Sequence, residues 1–333
     1  MKNVKRSVAQ IASLCAAMLM TVAMGGCSAD KDVSNSGEVS KGDIAVIVKS
    51  KQAPEYWNVV NNGAKDAGAE IGYNIVLDAP ATESDISDQI KMIDDAVSAK
   101  CKAIVISPIN TNDLNDSIKK ATDAGVTVVT IDSRCSLDNV VYIGTDNRAA
   151  GNVAGREAKA YLDGTKNVAI VALSEGSDVS DQRVDGFAEV IQTEEGVTIV
   201  ETTYCNADRN TAKAQALELI EKYPDLELIY GVNQTSTLGI CDAVAEKGLA
   251  DKIDVIGIDS SEEEIEFLGT GILDGAVIQN PYNMGYLGVR NAAKLIDGEN
   301  VSLTVDTGVT FVNKDNLNND EIQLLLYPLG KED

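Results

Sequence analysis

From residue 43 onward, short apolar runs alternate with longer stretches in which apolar residues recur every three or four positions. Ile44 to Val48 is a continuous apolar run, the pattern of a parallel-sheet strand covered on both faces. Val60, Ala64, Ala67 and Ile71 follow at spacings of four, three and four, which marks one face of a helix. Asn74 to Asp78 predicts a second strand, and Ile86, Ile90, Ile93 and Val97 the next helix. Ala103 to Ser107 and Val126 to Ile131 read as further strands, separated by a helix over about 111–124. The alternation then repeats. Strands are predicted at 168–172, 198–202, 228–231 and 253–258, with helices near 178–194, 209–222 and 234–247 between them. This succession predicts an α/β fold of two similar lobes, each a doubly wound parallel sheet with helices on both faces.

The first 27 residues follow another pattern. Lys2, Lys5 and Arg6 precede an uncharged, mainly apolar run from Ile11 to Ala23. That run falls short of the ~20 apolar residues a membrane span needs and fits the apolar region of a secretory signal. It ends in Met24-Gly25-Gly26-Cys27, which resembles the bacterial lipoprotein box. Residues 1–26 are therefore expected to be a lipoprotein signal peptide, with Cys27 lipidated. Residues 27–42 are polar and acidic, and read as a flexible tether. The predicted location is extracytoplasmic, anchored by lipid to the outer face of the cytoplasmic membrane.

Charge and composition narrow the classes. The 333 residues carry 28 Lys and Arg against 52 Asp and Glu, a net charge of −24, which argues against a nucleic-acid partner. There is no histidine, so Ser-His-Asp and Cys-His catalysis and His-containing zinc sites are excluded. Cys101, Cys135, Cys205 and Cys241 have no C-x-x-C spacing and read as free thiols. G-x-G-x-x-G and P-loop patterns are absent, and the Asp315–Glu321 stretch lacks EF-hand spacing. No cofactor or metal is expected, and nothing points to an oligomer.

In open α/β sheets ligands bind beyond the carboxyl ends of the strands. The residues there include Lys49, Gln52, Glu55, Tyr56 and Trp57 after the first strand, and Asp132, Ser133 and Arg134 after the fourth. In the second half they are Arg183, Asn233, Asp259 and Gln279. The halves share a phrase, Ile131-Asp132-Ser133 and Ile258-Asp259-Ser260, each with Asp just past an apolar strand. Carboxylates, amides and an Arg fork beside aromatic faces suit a polyol, whose hydroxyls both donate and accept. Bland roles compete. Asp132, Asp259 and Asn233 could cap helices, Tyr56 and Trp57 could pack on the sheet, and Arg183 could form a surface ion pair with Asp181 or Asp185.

On these residues the chain resembles the ribose-binding-protein-like family, the type I periplasmic sugar-binding proteins of ABC importers. The motifs are Pro54-x-Tyr56-Trp57, Ile131-Asp132-Ser133, Gly144-Thr145-Asp146-Asn147, Arg183-Val184-Asp185-Gly186-Phe187, Asn233, Gly257-Ile258-Asp259, and Gln279 before Pro281. The resemblance implies that Gln52, Glu55, Tyr56, Trp57, Asp132, Ser133, Arg134, Arg183, Asn233, Asp259 and Gln279 line a sugar site. It implies a three-segment hinge, with 43–145 plus 280–306 in one lobe and 146–279 plus 307–333 in the other. Closure over the sugar and delivery to an ABC permease follow from the same likeness. Three departures leave the sugar open among pentoses, hexoses and related sugars. Ribose binders have Asn where this chain offers Gln52 or Glu55, Arg directly after the Asp where it has Ser133, and an aromatic near Ala207. A component feeding a sensor kinase or chemoreceptor, or a binder of a nucleoside or other polar solute, would use the same fold. A carboxylate-dependent glycosidase on Asp132 and Asp259 is the competing enzyme class. Both residues have a binding role to fill, so no enzymatic activity is expected.

Overall fold

The computed structural model describes residues 40–330 apart from 53 and 163–165. The expected signal peptide, Cys27 and most of the tether lie outside the described residues.

Two six-stranded sheets organise the chain. In the first, β1 (Asp43–Ile47), β2 (Asn74–Asp78), β3 (Ala103–Ile106), β4 (Thr127–Ile131) and β5 (Val141–Gly144) run parallel in the spatial order 5-4-3-1-2. β3 and β5 are buried throughout, whereas edge strand β2 alternates, as covered and half-covered strands should. α1 (Pro54–Ile71) lies on one face, and α2 (Ile86–Ser98) and α3 (Asn115–Asp123) lie on the other.

The second sheet repeats the order. β6 (Lys166–Ala172), β7 (Val197–Tyr204), β8 (Leu226–Gly231), β9 (Asp254–Ile258) and β10 (Gly275–Ile278) pair as 10-9-8-6-7. α4 (Asn147–Ala158) and α5 (Asp178–Ile191) cover one face. α6 (Arg209–Lys222), α7 (Gln234–Lys247) and α8 (Glu262–Thr270) cover the other.

Three passages join the sheets. After β5 the chain enters α4 of the second lobe. After β10 it returns through α9 (Pro281–Ile296), which packs beside α1. β11 (Thr304–Asp306) then joins the first sheet beside β5. β12 (Thr310–Asn313) joins the second, antiparallel to β10, and α10 (Asp320–Leu326) packs into that lobe's core through Ile322 and Leu326. β5, β11 and β12 are four residues or fewer and went unread as strands. β3 is as short but wholly apolar, whereas β11 and β12 mix polar and apolar residues and take their conformation from the strands they pair with.

Both lobes use one device to bring a helix pair close. In the first, a Cβ on Gly285 of α9 would lie 1.9 Å from the Val60 carbonyl of α1, and one on Gly63 would lie 2.1 Å from the Tyr282 carbonyl. In the second, Gly151 of α4 and Gly186 of α5 stand against Arg183 and Arg148 carbonyls at 2.2 Å each. The α4–α5 contact holds Arg183 at the sheet's ligand end.

Alanine is the better helix former by about 1 kcal/mol, yet Gly285→Ala should destabilise. Forcing α1 and α9 apart should cost about 1–3 kcal/mol net, read as a lower urea midpoint at unchanged m-value. Unchanged or raised stability would show that the helices separate freely.

Candidate functional site

Spatial order 5-4-3-1-2 places a switch point between β1 and β3, where successive connections leave on opposite faces. Gln89 of α2, fully buried, holds the two diverging strand ends. Its Nε2 donates to the Ser107 carbonyl (2.8 Å) and to the Val48 carbonyl (3.3 Å), and its Oε1 accepts from Ile109 N (2.9 Å). The apolar stripe Ile86, Ile90, Ile93, Val97 concealed it, because Gln89 faces the sheet alongside that stripe.

Asp132 closes β4. Its amide donates to the Ile143 carbonyl at 3.0 Å, adding a rung to the β4–β5 ladder, and its φ is then +59°. Asp259 closes β9 in the same way, its amide donating to the Val277 carbonyl of β10 at 3.1 Å with φ +87°. Left-handed backbone costs a non-glycine residue roughly 1–3 kcal/mol, and Asp tolerates it better than most. Neither residue caps a helix: Ser261, two positions on, is the N-cap of α8.

Four side chains hold the Asp132 carboxylate. Tyr56 OH donates to Oδ1 at 3.0 Å. Oδ2 receives Ser107 Oγ at 3.0 Å, Ser133 Oγ at 2.9 Å and Lys49 Nζ at 2.8 Å. Burial disfavours the carboxylate, but the Lys49 charge and these hydrogen bonds outweigh it and hold Asp132 below its ordinary range. Burial likewise opposes the Lys49 ammonium, and Asp132 more than restores it. Lys49 stood first after the opening strand, yet nothing in the sequence paired it with Asp132, 83 positions away.

The second lobe supplies the other half. Asp259 Oδ1 accepts from Gln279 Nε2 at 2.6 Å and Oδ2 from the Gln234 amide at 3.0 Å. Gln279 Oε1 accepts from Thr145 Oγ1 at 2.8 Å, so Gln279 ties together the first two passages between lobes. Arg183 is buried; its Nε donates to Asn147 Oδ1 and one Nη to the Val232 carbonyl, both at 2.9 Å. It is not the surface ion pair its acidic neighbours suggested. The lobes face each other closely: burial first, then the charges of Asp132 and Asp259, push the Tyr56 phenol up, while Arg183 pulls it down.

The remaining expected residues stand outside these two clusters, and the cysteines are as expected. Trp57 is buried in the core of the first lobe, set edge-on to Tyr56 at 4.9 Å, because it points along the buried face of α1. Asn233 caps α7, its Oδ1 accepting from the Ser236 amide in a capping box. Arg134 is exposed, its guanidinium 3.8 Å from the Tyr142 ring centroid and donating to Thr304 Oγ1 at 3.3 Å, away from the Asp132 carboxylate. Gln52 and Glu55 are exposed. Cys101, Cys135, Cys205 and Cys241 are free thiols.

Residues 44–300 match the family described as periplasmic binding protein domain. The chain is 27% identical to a D-ribose/D-allose-binding protein of Pseudomonas aeruginosa, over 85% of this chain and 91% of that one. It is similar to a solute-binding protein of an ABC transporter from Agrobacterium vitis, solved with D-fucose: 34% identity, TM-score 0.78, covering 86% of this chain and 100% of that one. A carbohydrate-transporter solute-binding protein from Agrobacterium radiobacter, solved with D-arabinose, is 31% identical at TM-score 0.79, over 87% and 100%.

One buried acid stands near Asp259. Glu264 is fully buried; its Oε2 accepts from Ser261 N (2.7 Å) and Oγ (2.9 Å), and its Oε1 has no partner among the described residues. Burial, then the charge of Asp259, push its carboxyl well above the usual range. A raised folded-state value favours folding below the unfolded pKa and loses that contribution as pH rises through the folded one. Glu264→Gln should therefore match the parent Tm near pH 5 and exceed it increasingly toward pH 8. A parallel offset across that range would show that Glu264 is ionised in the folded state.

Proposed function

This chain belongs to the periplasmic binding protein family, and on that premise we propose that it captures a monosaccharide between its two lobes for an ABC importer. The observation that carries this reading is the matched pair of left-handed aspartates, Asp132 and Asp259, each anchored at the end of its lobe's fourth strand. Bound between them, a sugar would meet the Lys49–Asp132–Tyr56 cluster on one side and Arg183, Asp259 and Gln279 on the other. A ligand bridging both lobes stabilises the closed form, and the three passages act as the hinge. A hydroxyl missing from the ligand would leave a desolvated donor or acceptor unpaired, which is the source of discrimination. Homologues with bound fucose and arabinose support a pentose or hexose.

The family consists of sugar-binding transport proteins. We extend that to this chain: it binds and releases its sugar unchanged, acts as a monomer, and is extracytoplasmic, held by a lipid on Cys27 at the outer face of the cytoplasmic membrane. The small residues before Cys27 and the polar segment after it support the anchor.

A thermal-shift screen of the mature protein against pentoses, hexoses, polyols, amino acids and nucleosides tests the reading. A ligand at a thousand times its Kd should add about 4 kcal/mol to stability and several degrees to Tm. Asp259→Ala should weaken that ligand at least about 30-fold, as loss of one partner in a buried charged network does. Silence with every sugar, alongside a shift with a nucleoside or amino acid, would sink the sugar assignment. Separately, Cys27→Ser should move the protein from the membrane fraction to the soluble fraction; retention on the membrane would remove the lipid anchor.

A further inference from the structure

Beside Asp132 lies a cavity of about 390 Å³, within the size range of small-molecule sites. Asp132 and Ser133 line it. Arg134 and Tyr142 of the first lobe face Asp178 and Gln182 from the first turns of α5 in the second. The passage residues Thr304 and Asp306 also line it. Lys49, Tyr56, Arg183 and Asp259 do not line it, so it adjoins the sugar cluster at Asp132 and extends away from it.

We propose that this cavity is a second compartment of the binding site, which takes a neutral hydroxylated substituent on the sugar, such as the second ring of a disaccharide. The inference rests on the reading of Asp132 as a sugar-binding residue.

Chemistry selects the occupant. The side chains of Asp178 and Gln182 make no hydrogen bond among the described residues. Each therefore has donor or acceptor capacity to spend on a ligand. The Arg134 guanidinium, backed by Tyr142, is oriented by Thr304 and keeps further N–H groups free. Because it covers the Tyr142 ring, the compartment lacks an open aromatic face for an apolar group. Asp146, Asp178 and Asp306 also line it, while Arg148 is engaged by Asp185 and Glu189. The acidic excess disfavours a phosphate or a carboxylate. Asp132 and Ser133 both line the compartment, with Ser133 Oγ bonded to Asp132 at 2.9 Å, so Asp132 is common to the compartment and the sugar cluster. The walls come from both lobes, so an occupant here would add to the contacts that stabilise closure.

Calorimetric titration of the mature protein decides it. The probes are the monosaccharide that shifts Tm, its methyl glycosides, and disaccharides carrying that sugar at either end. At least one disaccharide should bind within about threefold of the free sugar or more tightly. Gln182→Trp, which puts a larger side chain at the wall of the compartment, should weaken that disaccharide about tenfold or more (some 1.4 kcal/mol) and change the monosaccharide Kd less than about twofold. Asp178→Trp serves as the second variant if circular dichroism shows Gln182→Trp misfolded. The proposal is overturned if every glycoside and disaccharide binds about a hundredfold more weakly than the free sugar, or if the Trp variant weakens both ligands alike. Binding of no sugar at all, single or double, removes the underlying sugar reading as well.

Discussion

The site depends on a backbone constraint imposed twice. A parallel strand ends, its next amide still joins the ladder, and the chain then turns through a left-handed aspartate. At Asp132 the Ser133 amide reaches back to the Ile131 carbonyl, making the turn as tight as three residues allow. Such a conformation persists only where surrounding contacts over-determine it. Here they do: Tyr142 OH bonds the Asp132 carbonyl at 3.0 Å, Lys49, Ser107 and Ser133 hold Oδ2, and Tyr56 holds Oδ1. Asp259 is held by Gln279 and the Gln234 amide. Both carboxylates are thus oriented by the protein's own contacts, an arrangement that would lower the ordering cost of the proposed sugar binding.

The two halves differ in how they are tied down. Asp132 is neutralised by a cation in its own lobe. Asp259 relies on an amide side chain that also grips Thr145 at a passage between lobes. The first aspartate is thereby a fixed wall. The second is tied through Gln279 to Thr145, so one residue joins the Asp259 carboxylate to a passage between the lobes. Close glycine contacts between α1 and α9, and between α4 and α5, pack the paired helices of each lobe backbone against backbone.

Much of the fold was legible because strands covered on both faces leave unbroken apolar runs and the helices between them keep a 3.6-residue stripe. β5, β11 and β12 were not; β11 and β12 mix polar and apolar residues and take their conformation from the strands they pair with. The site was partly legible. Asp132, Tyr56 and Ser133 form one hydrogen-bonded cluster and Asp259 with Gln279 another, while Arg183 bonds Asn147 and the Val232 carbonyl instead. Lys49 and Gln89 were missed as partners, and Trp57, Asn233 and Arg134 turned to core packing, capping and a ring contact. Each of those choices depends on which neighbour a side chain meets, and single-chain patterns do not carry that information.

The sequence by itself determined the α/β alternation, the repeat of one lobe plan, the absence of histidine chemistry and the polar residues that follow each strand. These are properties of local pattern and composition, set by periodicities of two and 3.6 and by residue type. Tertiary structure alone decided that Lys49 would face Asp132, that Gln279 would bridge two passages, and that a cavity would open beside Ser133. Those contacts join residues scores to more than a hundred positions apart, and they exist only once the strands that carry them have been brought together.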